Sequence, residues 1–309
     1  QDVKFLPRYP QFEATLDIHQ KVLSGRRGGL IWHHQGSGKT ELMAFAAARI
    51  LRDPKVVERF KSPPTVIVIV DRKDLVRQTA EMFETAGMPR LLVPSTKREL
   101  WKVLKRDEPA VVITTVHKFA DAGHLNDREN IIVLVDEAHR SQEGKFGKAW
   151  RAAVPKARFF GATGTAIDDG NRSTFDLFGD PDDPDLVMSR YTPEQSMADG
   201  FTKPIVVEGR SVGFDLDKAQ LDEAFDELAK DEDLNEDEKA FLSGKASHVE
   251  TVLSNPERVA AVCTDIVEHY LKYVAPLGQK AQVVAYNQRL VVAYAEAIRS
   301  ELERLGAVG

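Results

Sequence analysis

The residues best suited to chemistry form a short glycine-rich run, Gly36-Ser37-Gly38-Lys39-Thr40, which follows the stretch 29–33 after His34 and Gln35. Glycines let successive backbone N–H groups turn inward around phosphate oxygens, and a helix that begins there presents its positive end to the same anion. In such a loop the lysine reaches the β- and γ-phosphates and the hydroxyl residue ligates Mg²⁺. The run predicts an ATP- and Mg²⁺-binding loop with a catalytic lysine; the alternative is a plain glycine turn before a helix.

A pair of carboxylates stands at the end of a second apolar run. Five consecutive aliphatic residues, 131–135, lead into Asp136 and Glu137. Asp136 is predicted to hold Mg²⁺ and Glu137 to polarise the attacking water as a general base. Alone, the pair could equally belong to a solvated loop. His139 and Arg140 follow; they could sense the γ-phosphate or DNA, or simply begin a helix.

The elements that must position these residues alternate along the first two-thirds of the chain. Helical spacing marks residues 41–51 and 73–86. Between such stretches lie runs of Val, Ile and Leu without polar alternation, which is typical of strands covered by helices on both faces. The predicted strands are 29–33, 65–71, 90–93, 110–114, 131–136 and 157–161. The expected fold class is α/β, a parallel sheet of doubly wound type with flanking helices and with its sites at the carboxyl ends of the strands.

The last third has a different character. The stretch 171–185 is rich in Asp, Gly and Pro and predicts a loop, whereas Thr192-Pro193 predicts a helix start. Residues 215–246 predict an acidic helical insertion. After it, the sequence predicts a helix from Asn255 to about Val274, a buried strand at 282–286 and a helix at 290–305.

Composition narrows the class of protein. The chain has 309 residues, 42% of them hydrophobic and 29% charged, as in an ordinary globular protein of about two domains. No apolar run reaches the length of a membrane span, so no membrane association is expected. Cys263 is the single cysteine, which excludes a disulfide framework and indicates core packing. The net charge of −6 argues only weakly against nucleic acid, because much of the acidity lies between residues 215 and 238.

The motifs together resemble those of superfamily 2 helicases and translocases. The loop 36–40, the acidic run 136–139 and the run 161–166 (GATGTA) match the family's motifs I, II and III in order. Wider strings resemble the motor (R) subunit of type I restriction enzymes across nearly the whole chain. These strings are RYPQ at 8–11, IWHHQ at 31–35, DRKDL at 71–75, DEAHRSQ at 136–142, DGFT at 199–202 and DIVEH at 265–269.

The resemblance implies roles for further residues. Gln11 matches the glutamine that reads adenine before motif I, with Arg8 stacking nearby. Thr163 and Thr165 match the motif III hydroxyls that couple hydrolysis to DNA movement, and His139 and Arg140 would belong to the same coupling. Positions that match segments lining the DNA track are Arg72, Gln78, Thr115 and Lys118. Their contacts would be to backbone phosphates and would carry little sequence information.

The resemblance also implies the organisation and the activity. We expect a first RecA-like ATP-binding motor domain at 1–208, an acidic helical linker at 209–254 and the beginning of a second RecA-like domain at 255–309. The implied function is ATP-dependent translocation along double-stranded DNA within a complex that contains methylation (M) and specificity (S) subunits, in the cytoplasm of a bacterium or archaeon. Cleavage would fall to a nuclease domain that this sequence does not match.

Three departures qualify the match. His33 occupies the first position of the phosphate-loop pattern, where Gly or Ala is usual. The chain begins without Met, which predicts a longer parent protein. The arginine signature of a second motor domain is not found, and because an arginine supplied across a cleft contributes about 10³–10⁵ in rate, we expect slow hydrolysis by this chain alone. Two alternatives stay open: a superfamily 2 helicase of another defence or repair system, and a non-catalytic ATP-gated DNA-binding module.

Overall fold

The computed structural model describes residues 6–138, 145–167, 173–211 and 252–307. The chain divides into two compact units, residues 1–205 and 206–309. The predicted acidic insertion at 215–246 lies outside the described residues.

A seven-stranded parallel sheet organises the first unit, in the order β3-β4-β2-β5-β6-β1-β7. The strands are β1 (Gly28–His33), β2 (Thr65–Val70), β3 (Leu91–Leu92), β4 (Ala110–Thr115), β5 (Ile131–Val135), β6 (Arg158–Thr163) and β7 (Ser189–Tyr191). Six of them match the predicted strands to within a few residues. The predicted α/β class with a parallel sheet is therefore confirmed.

Helices cover both faces of this sheet. In the first unit they are α1 (Tyr9–Ser24), α2 (Lys39–Arg52), α3 (Pro54–Phe60), α4 (Lys73–Thr85), α5 (Lys97–Leu104), α6 (Lys145–Ala153), α7 (Thr174–Phe178) and α8 (Pro193–Ala198). Successive side chains of β2 face the two helix layers on opposite sides of the sheet. Val68 lies in the apolar cluster under α1–α4, and Ile67 lies in the cluster under α5–α7. The all-apolar strands follow from this double covering, because both faces of the central strands are buried.

Local signals set several helix ends. Thr192 and Gln195 form a capping box at the start of α8, with Pro193 in the first turn, as the sequence predicted. At the start of α1, the Gln11 side chain accepts a hydrogen bond from the backbone N–H of Arg8 at 2.8 Å. These caps matter for the site, because Gln11 also reaches the glycine-rich loop.

The structure differs from the sequence-based prediction at two places in the first unit. The stretch 171–185, predicted as loop, contains α7, because the Ser173 hydroxyl accepts a hydrogen bond from the backbone of Asp176 and caps a new helix. The short strand β7 was not predicted. Strand β7 pairs with β1. Because it has three residues, its sequence gives almost no strand signal.

The described part of the second unit contains two packed helices, α9 (Pro256–His269) and α10 (Gln288–Arg304), close to their predicted bounds. Cys263 and Leu290 lie in their shared core, as expected for a structural cysteine. The predicted buried strand at 282–286 is wrong: this segment forms no strand, and Val284 is 82% exposed. A strand needs a neighbour for its backbone groups, and the described residues of this unit contain no other strand.

No helix among the described residues has the length and apolarity needed to cross a bilayer. Likewise, no group of three or more His, Cys, Asp and Glu side chains suited to a metal ion occurs in the described residues.

Candidate functional site

The glycine-rich loop joins β1 to α2 in the geometry that the sequence predicted. Gly36 and Gly38 have φ values of 85° and 81°, in the left-handed region that favours glycine. A side chain at Gly36 would meet nothing within 4 Å, so the loop is open on that side. Helix α2 begins at Lys39, and its first amides therefore face the concavity of the loop.

Lys39 is buried at the base of this loop. Its ammonium donates long hydrogen bonds, both of 3.4 Å, to the carbonyl oxygens of His33 and His34. Burial lowers the pKa of Lys39, while the nearby carboxylates of Glu137 and Asp136 act in the opposite direction. Lys39 is thus brought together with the two predicted acidic residues, although they are about one hundred positions away along the chain.

The acidic pair stands at the carboxyl end of β5. The backbone N–H of Asp136 donates to the carbonyl of Ile69 at 2.8 Å, which extends the ladder to β2 by one residue. Glu137 adopts φ 47°, and its N–H donates to Oδ1 of Asp136 at 3.0 Å. Burial, with a further contribution from the Glu137 charge, raises the pKa of Asp136 to about 6. A carboxylate held in this way gains from a nearby cation.

The predicted motif III loop continues from β6 on the neighbouring side. Ala138, next to the acidic pair, donates its N–H to the carbonyl of Ala162 at 3.0 Å, which ties the two strand ends together. Thr163 Oγ1 accepts from the N–H of Thr165 and donates to its carbonyl, both at 3.1 Å, closing a tight turn. Gly164, at the tip of that turn, lies against the glycine-rich loop: a Cβ there would be 3.1 Å from the backbone nitrogen of Gln35.

Buried polar atoms in the loop test whether a nucleotide and Mg²⁺ fit. Ser37 Oγ and His34 Nε2 are buried and have no hydrogen-bond partner among the described residues. An orphaned buried hydroxyl is costly unless a ligand satisfies it. The donors, the left-handed glycines and Lys39 suit a triphosphate, and the Thr40 hydroxyl with the Asp136 carboxylate suits Mg²⁺, which prefers oxygen ligands.

Gln11 approaches the same loop from α1. Its Nε2 donates to the carbonyl oxygens of Ser37 at 3.2 Å and Gly38 at 2.9 Å, while its Oε1 accepts from the N–H of Arg8. The guanidinium of Arg8 lies 5.0 Å from the ring centre of Phe201. Of the two residues predicted near the adenine, Gln11 therefore borders the glycine-rich loop, with its amide bonded to protein backbone, whereas Arg8 contacts Gln11 and Phe201.

Two residues of β1 also belong to the site, although no chemical role was predicted for either of them. Trp32 Nε1 donates to the carbonyl of Gly164 at 3.3 Å. His33 is buried, its Nε2 lies 2.9 Å from Ser189 Oγ, and burial lowers its pKa to about 3. No local pattern could have identified these contacts, because each joins residues more than 130 positions apart.

The predicted DNA-contacting residues are less uniform. Arg72 and Gln78 are exposed, at the start and in the middle of α4. Thr115, at the end of β4, is buried. Lys118 donates to the carbonyl of Pro94, and burial lowers its pKa. Only the first two present their side chains openly to solvent in this structure.

His139 and Arg140 lie outside the described residues, so their expected coupling role stays a prediction. The other predicted site residues of the loop, of the acidic pair and of motif III meet at one edge of the sheet, where β1, β5 and β6 end. This is the edge at which parallel α/β folds place their ligands.

Comparison with known proteins gives three results. Residues 10–240 match the family described as SWI2/SNF2 ATPase. The chain is 33% identical over 293 residues to the type I restriction enzyme HindI endonuclease subunit of Haemophilus influenzae, covering 86% of this chain and 26% of that protein. It is 29% identical over 300 residues to the type I restriction enzyme SsaAORF53P endonuclease subunit of Staphylococcus saprophyticus, covering 91% of this chain and 28% of that protein.

The chain thus spans about a quarter of the length of these curated relatives. Among solved structures, it is similar to the ATP-dependent Type ISP restriction-modification enzyme LlaBIII bound to DNA, with a TM-score of 0.52 and 13% identity, covering 97% of this chain and 22% of that one. At this identity the likeness concerns the fold, which is the expected RecA-like sheet with flanking helices.

Proposed function

The chain belongs to the SWI2/SNF2 ATPase family, and from that premise we propose that it is the ATP-dependent double-stranded DNA translocase segment of a type I restriction enzyme's motor subunit. It is an enzyme of the ATPase/helicase type. The finer statement, translocation within a restriction complex, is supported by the two relatives above, both of which are described as endonuclease subunits of such enzymes.

One observation carries the proposal: Lys39, Asp136 and Gly164 lie around the same glycine-rich loop. A Cβ on Gly164 would be 3.5 Å from Lys39 Nζ, and Lys39 and Asp136 affect each other's pKa. Coupling of ATP hydrolysis to DNA movement needs at least three parts. These are a lysine that binds phosphate, a carboxylate that holds a metal, and a turn that responds to the nucleotide.

Each residue has a role that follows from its position. The loop amides and Lys39 would bind the β- and γ-phosphates, and Ser37 Oγ would gain the partner it lacks. Thr40 and Asp136 would hold Mg²⁺, which supplies positive charge opposite the phosphate oxygens. Glu137 would orient and deprotonate the attacking water. Gln11 and Arg8 would border the adenine, and Thr163 with Thr165 would couple the site to DNA.

The proposal extends to partners and place of action. Arg72, Gln78, Thr115 and Lys118 would lie along the DNA track, of which the exposed Arg72 and Gln78 are the best placed. Methylation (M) and specificity (S) subunits would complete the complex in the cytoplasm of a bacterial or archaeal cell. Residues 1–208, 209–254 and 255–309 would be the first motor domain, the linker and the start of the second motor domain, and this chain alone would turn over slowly.

The test uses a single carboxylate. Glu137→Gln should bind a fluorescent ATP analogue as tightly as the unaltered chain, within about twofold, and should lose steady-state hydrolysis. The matched control is Glu129→Gln, an exposed glutamate at the opposite end of β5. Hydrolysis that survives in Glu137→Gln would refute the assigned role, and an unaltered chain that binds ATP without ever hydrolysing it would favour a non-catalytic module.

Translocation is tested in the full restriction complex. Displacement of a triplex-forming strand from double-stranded DNA, dependent on ATP and lost in Lys39→Ala, is the expected result. Separation of the two DNA strands in the same conditions would instead indicate a helicase. Lys55→Ala, an exposed lysine on α3, is the matched control for Lys39→Ala.

A further inference from the structure

Trp32 occupies an unusual place in the site. It is the penultimate residue of β1, and its register partners are Thr163 on β6 and Arg190 on β7. Its ring packs edge-on against Phe175, with ring centres 5.9 Å apart, and the Arg190 guanidinium lies 5.0 Å from its ring centre. Two neighbours therefore fix the indole, and its N–H is left to hold the carbonyl of Gly164 at 3.3 Å.

Gly164 has the glycine-rich loop on its other side. A Cβ on Gly164 would be 3.1 Å from the backbone nitrogen of Gln35 and 3.5 Å from Lys39 Nζ. A single residue without a side chain thus separates the indole of Trp32 from the phosphate-binding lysine. Because the packing around Gly164 is this close, a displacement of Lys39 or Gln35 acts directly on Gly164.

The turn that contains Gly164 is closed on itself. Thr163 Oγ1 binds both the N–H and the carbonyl of Thr165, so residues 163–165 form a unit held by side-chain contacts. By contrast, the hydrogen bonds of Lys39 Nζ within the described part of the chain are two long ones, both of 3.4 Å, to backbone carbonyls. A bound phosphate would therefore displace Lys39, and this displacement would reach the Thr163–Thr165 turn.

We propose that Trp32 is a positioning residue that holds Gly164 against the glycine-rich loop, so that the response of Lys39 to a nucleoside triphosphate reaches the Thr163–Thr165 turn. The inference rests on the proposed ATPase activity and deepens it. It assigns Trp32 no contact with the nucleotide. A purely structural tryptophan would affect folding, whereas this role affects turnover at unchanged nucleotide binding.

The first test separates turnover from binding. Trp32→Phe keeps an aromatic ring but removes the N–H donor. We expect the KM for ATP to stay within about twofold and kcat to fall about three- to tenfold, the range for one lost hydrogen bond. Trp101→Phe is the matched control, because Trp101 Nε1 donates at 3.2 Å to the carbonyl of Lys118, away from the glycine-rich loop, and it should change neither value. An unchanged kcat in Trp32→Phe, or a loss confined to KM, would overturn the inference.

The second test needs no variant at position 32. The chain has three tryptophans, so incorporation of 5-fluorotryptophan gives three ¹⁹F resonances. Trp101→Phe and Trp150→Phe assign two of them and leave that of Trp32 by elimination. Addition of Mg²⁺ with a non-hydrolysable ATP analogue should shift the Trp32 resonance, ADP should shift it less, and the Trp101 resonance should stay in place.

The outcomes distinguish the two proposals. If calorimetry shows the analogue bound and the Trp32 resonance does not move, the inference fails and the ATPase proposal stands. If calorimetry shows no binding of the analogue, the proposed ATPase fails and the inference fails with it. A shift of Trp32 that is the same for ADP and for the triphosphate analogue would also refute the inference, because the role of Trp32 depends on the γ-phosphate reaching Lys39.

Discussion

The side-chain amide of Gln11 donates to the carbonyl oxygen of Gly38 at 2.9 Å and thereby ties the first turn of α1 to the glycine-rich loop. The contact is close enough that a Cβ on Gly38 would be 2.1 Å from Gln11 Nε2. Gly38 also has a left-handed backbone, which favours glycine at this position. Gln11 thus supports the loop whether or not it also contacts a base.

Removal of the Gln11 amide should weaken nucleotide binding. Gln11→Ala leaves two loop carbonyls without their buried donor, a change that costs about 1–3 kcal/mol in favourable cases. We expect the dissociation constant for ATP to rise about tenfold, measured by titration with a fluorescent analogue. Gln20→Ala, an exposed glutamine on the same helix, should leave it unchanged. Equal effects of the two variants would show that the loop does not depend on this contact.

A methyl group at Gly164 should slow turnover. Gly164→Ala places a Cβ 3.1 Å from the Gln35 nitrogen, which is backbone and cannot swing aside. We expect the hydrolysis rate to fall at least tenfold with a loss of stability of about 1–3 kcal/mol, as for overpacking at a tight contact. Gly209→Ala is the control, since its Cβ would meet nothing within 4 Å. Full activity in Gly164→Ala would mean that the turn and the loop can separate without consequence.

The raised pKa of Asp136 predicts a stability that depends on pH. Its folded pKa, about 6, exceeds its ordinary value of 3.8, so the folded state binds this proton more tightly than the unfolded state does. Ionisation of this carboxylate therefore lowers the free energy of unfolding. The full loss is present above pH about 6, and there is no loss below pH about 4. A shift of about two units corresponds to at most about 3 kcal/mol.

Asp136→Asn removes that cost together with the metal ligand. Without Mg²⁺ and nucleotide at pH 8, the free energy of unfolding from denaturant titration should be about 1–3 kcal/mol higher for the variant than for the unaltered chain. This difference should vanish near pH 4. Asp121→Asn, whose side chain is 90% exposed, should show no such dependence. A variant less stable than the unaltered chain at pH 8 would contradict the assigned cause of the pKa shift.

Arg72 should contribute to DNA binding through charge alone. In the full protein, Arg72→Ala should raise the half-saturating DNA concentration for ATPase stimulation several-fold, and the slope of log affinity against log salt should fall in magnitude by about 0.9, as for one lost phosphate contact. Arg77→Ala serves as the control: this arginine is exposed on the same helix and pairs with Glu81. An unaltered salt slope in Arg72→Ala would remove Arg72 from the proposed track.

Much of the first unit could be predicted because its signals are local. The central strands β2 and β5 each contain five consecutive buried aliphatic residues, and the glycine-rich loop has a recognisable pattern of glycines before a lysine. Asp136 and Glu137 could be paired with Lys39 from sequence because the carboxyl ends of parallel strands meet at one edge of the sheet. Only the order of the strands, which places β5 and β6 beside β1, had to come from the structure.

The rest could not be predicted because it depends on distant partners. The segment 282–286 has the composition of a strand, yet strand formation needs a neighbour, which the described residues of the second unit do not supply. Conversely, β7 has a poor strand composition and forms because β1 offers an edge. The contact of Trp32 with Gly164 joins positions 132 residues apart, and no spacing rule within a helix or strand encodes it.

His33 replaces the small residue usual at its position with an imidazole that titrates only near pH 3. At any acidity that a living cell reaches, this ring is uncharged, and its hydrogen bond to Ser189 persists in the same form. Acidification of the surroundings from pH 8 to pH 5 would thus add no cation at position 33 that could hold a spent phosphate product more tightly. This histidine should therefore contribute nothing to the pH dependence of product release.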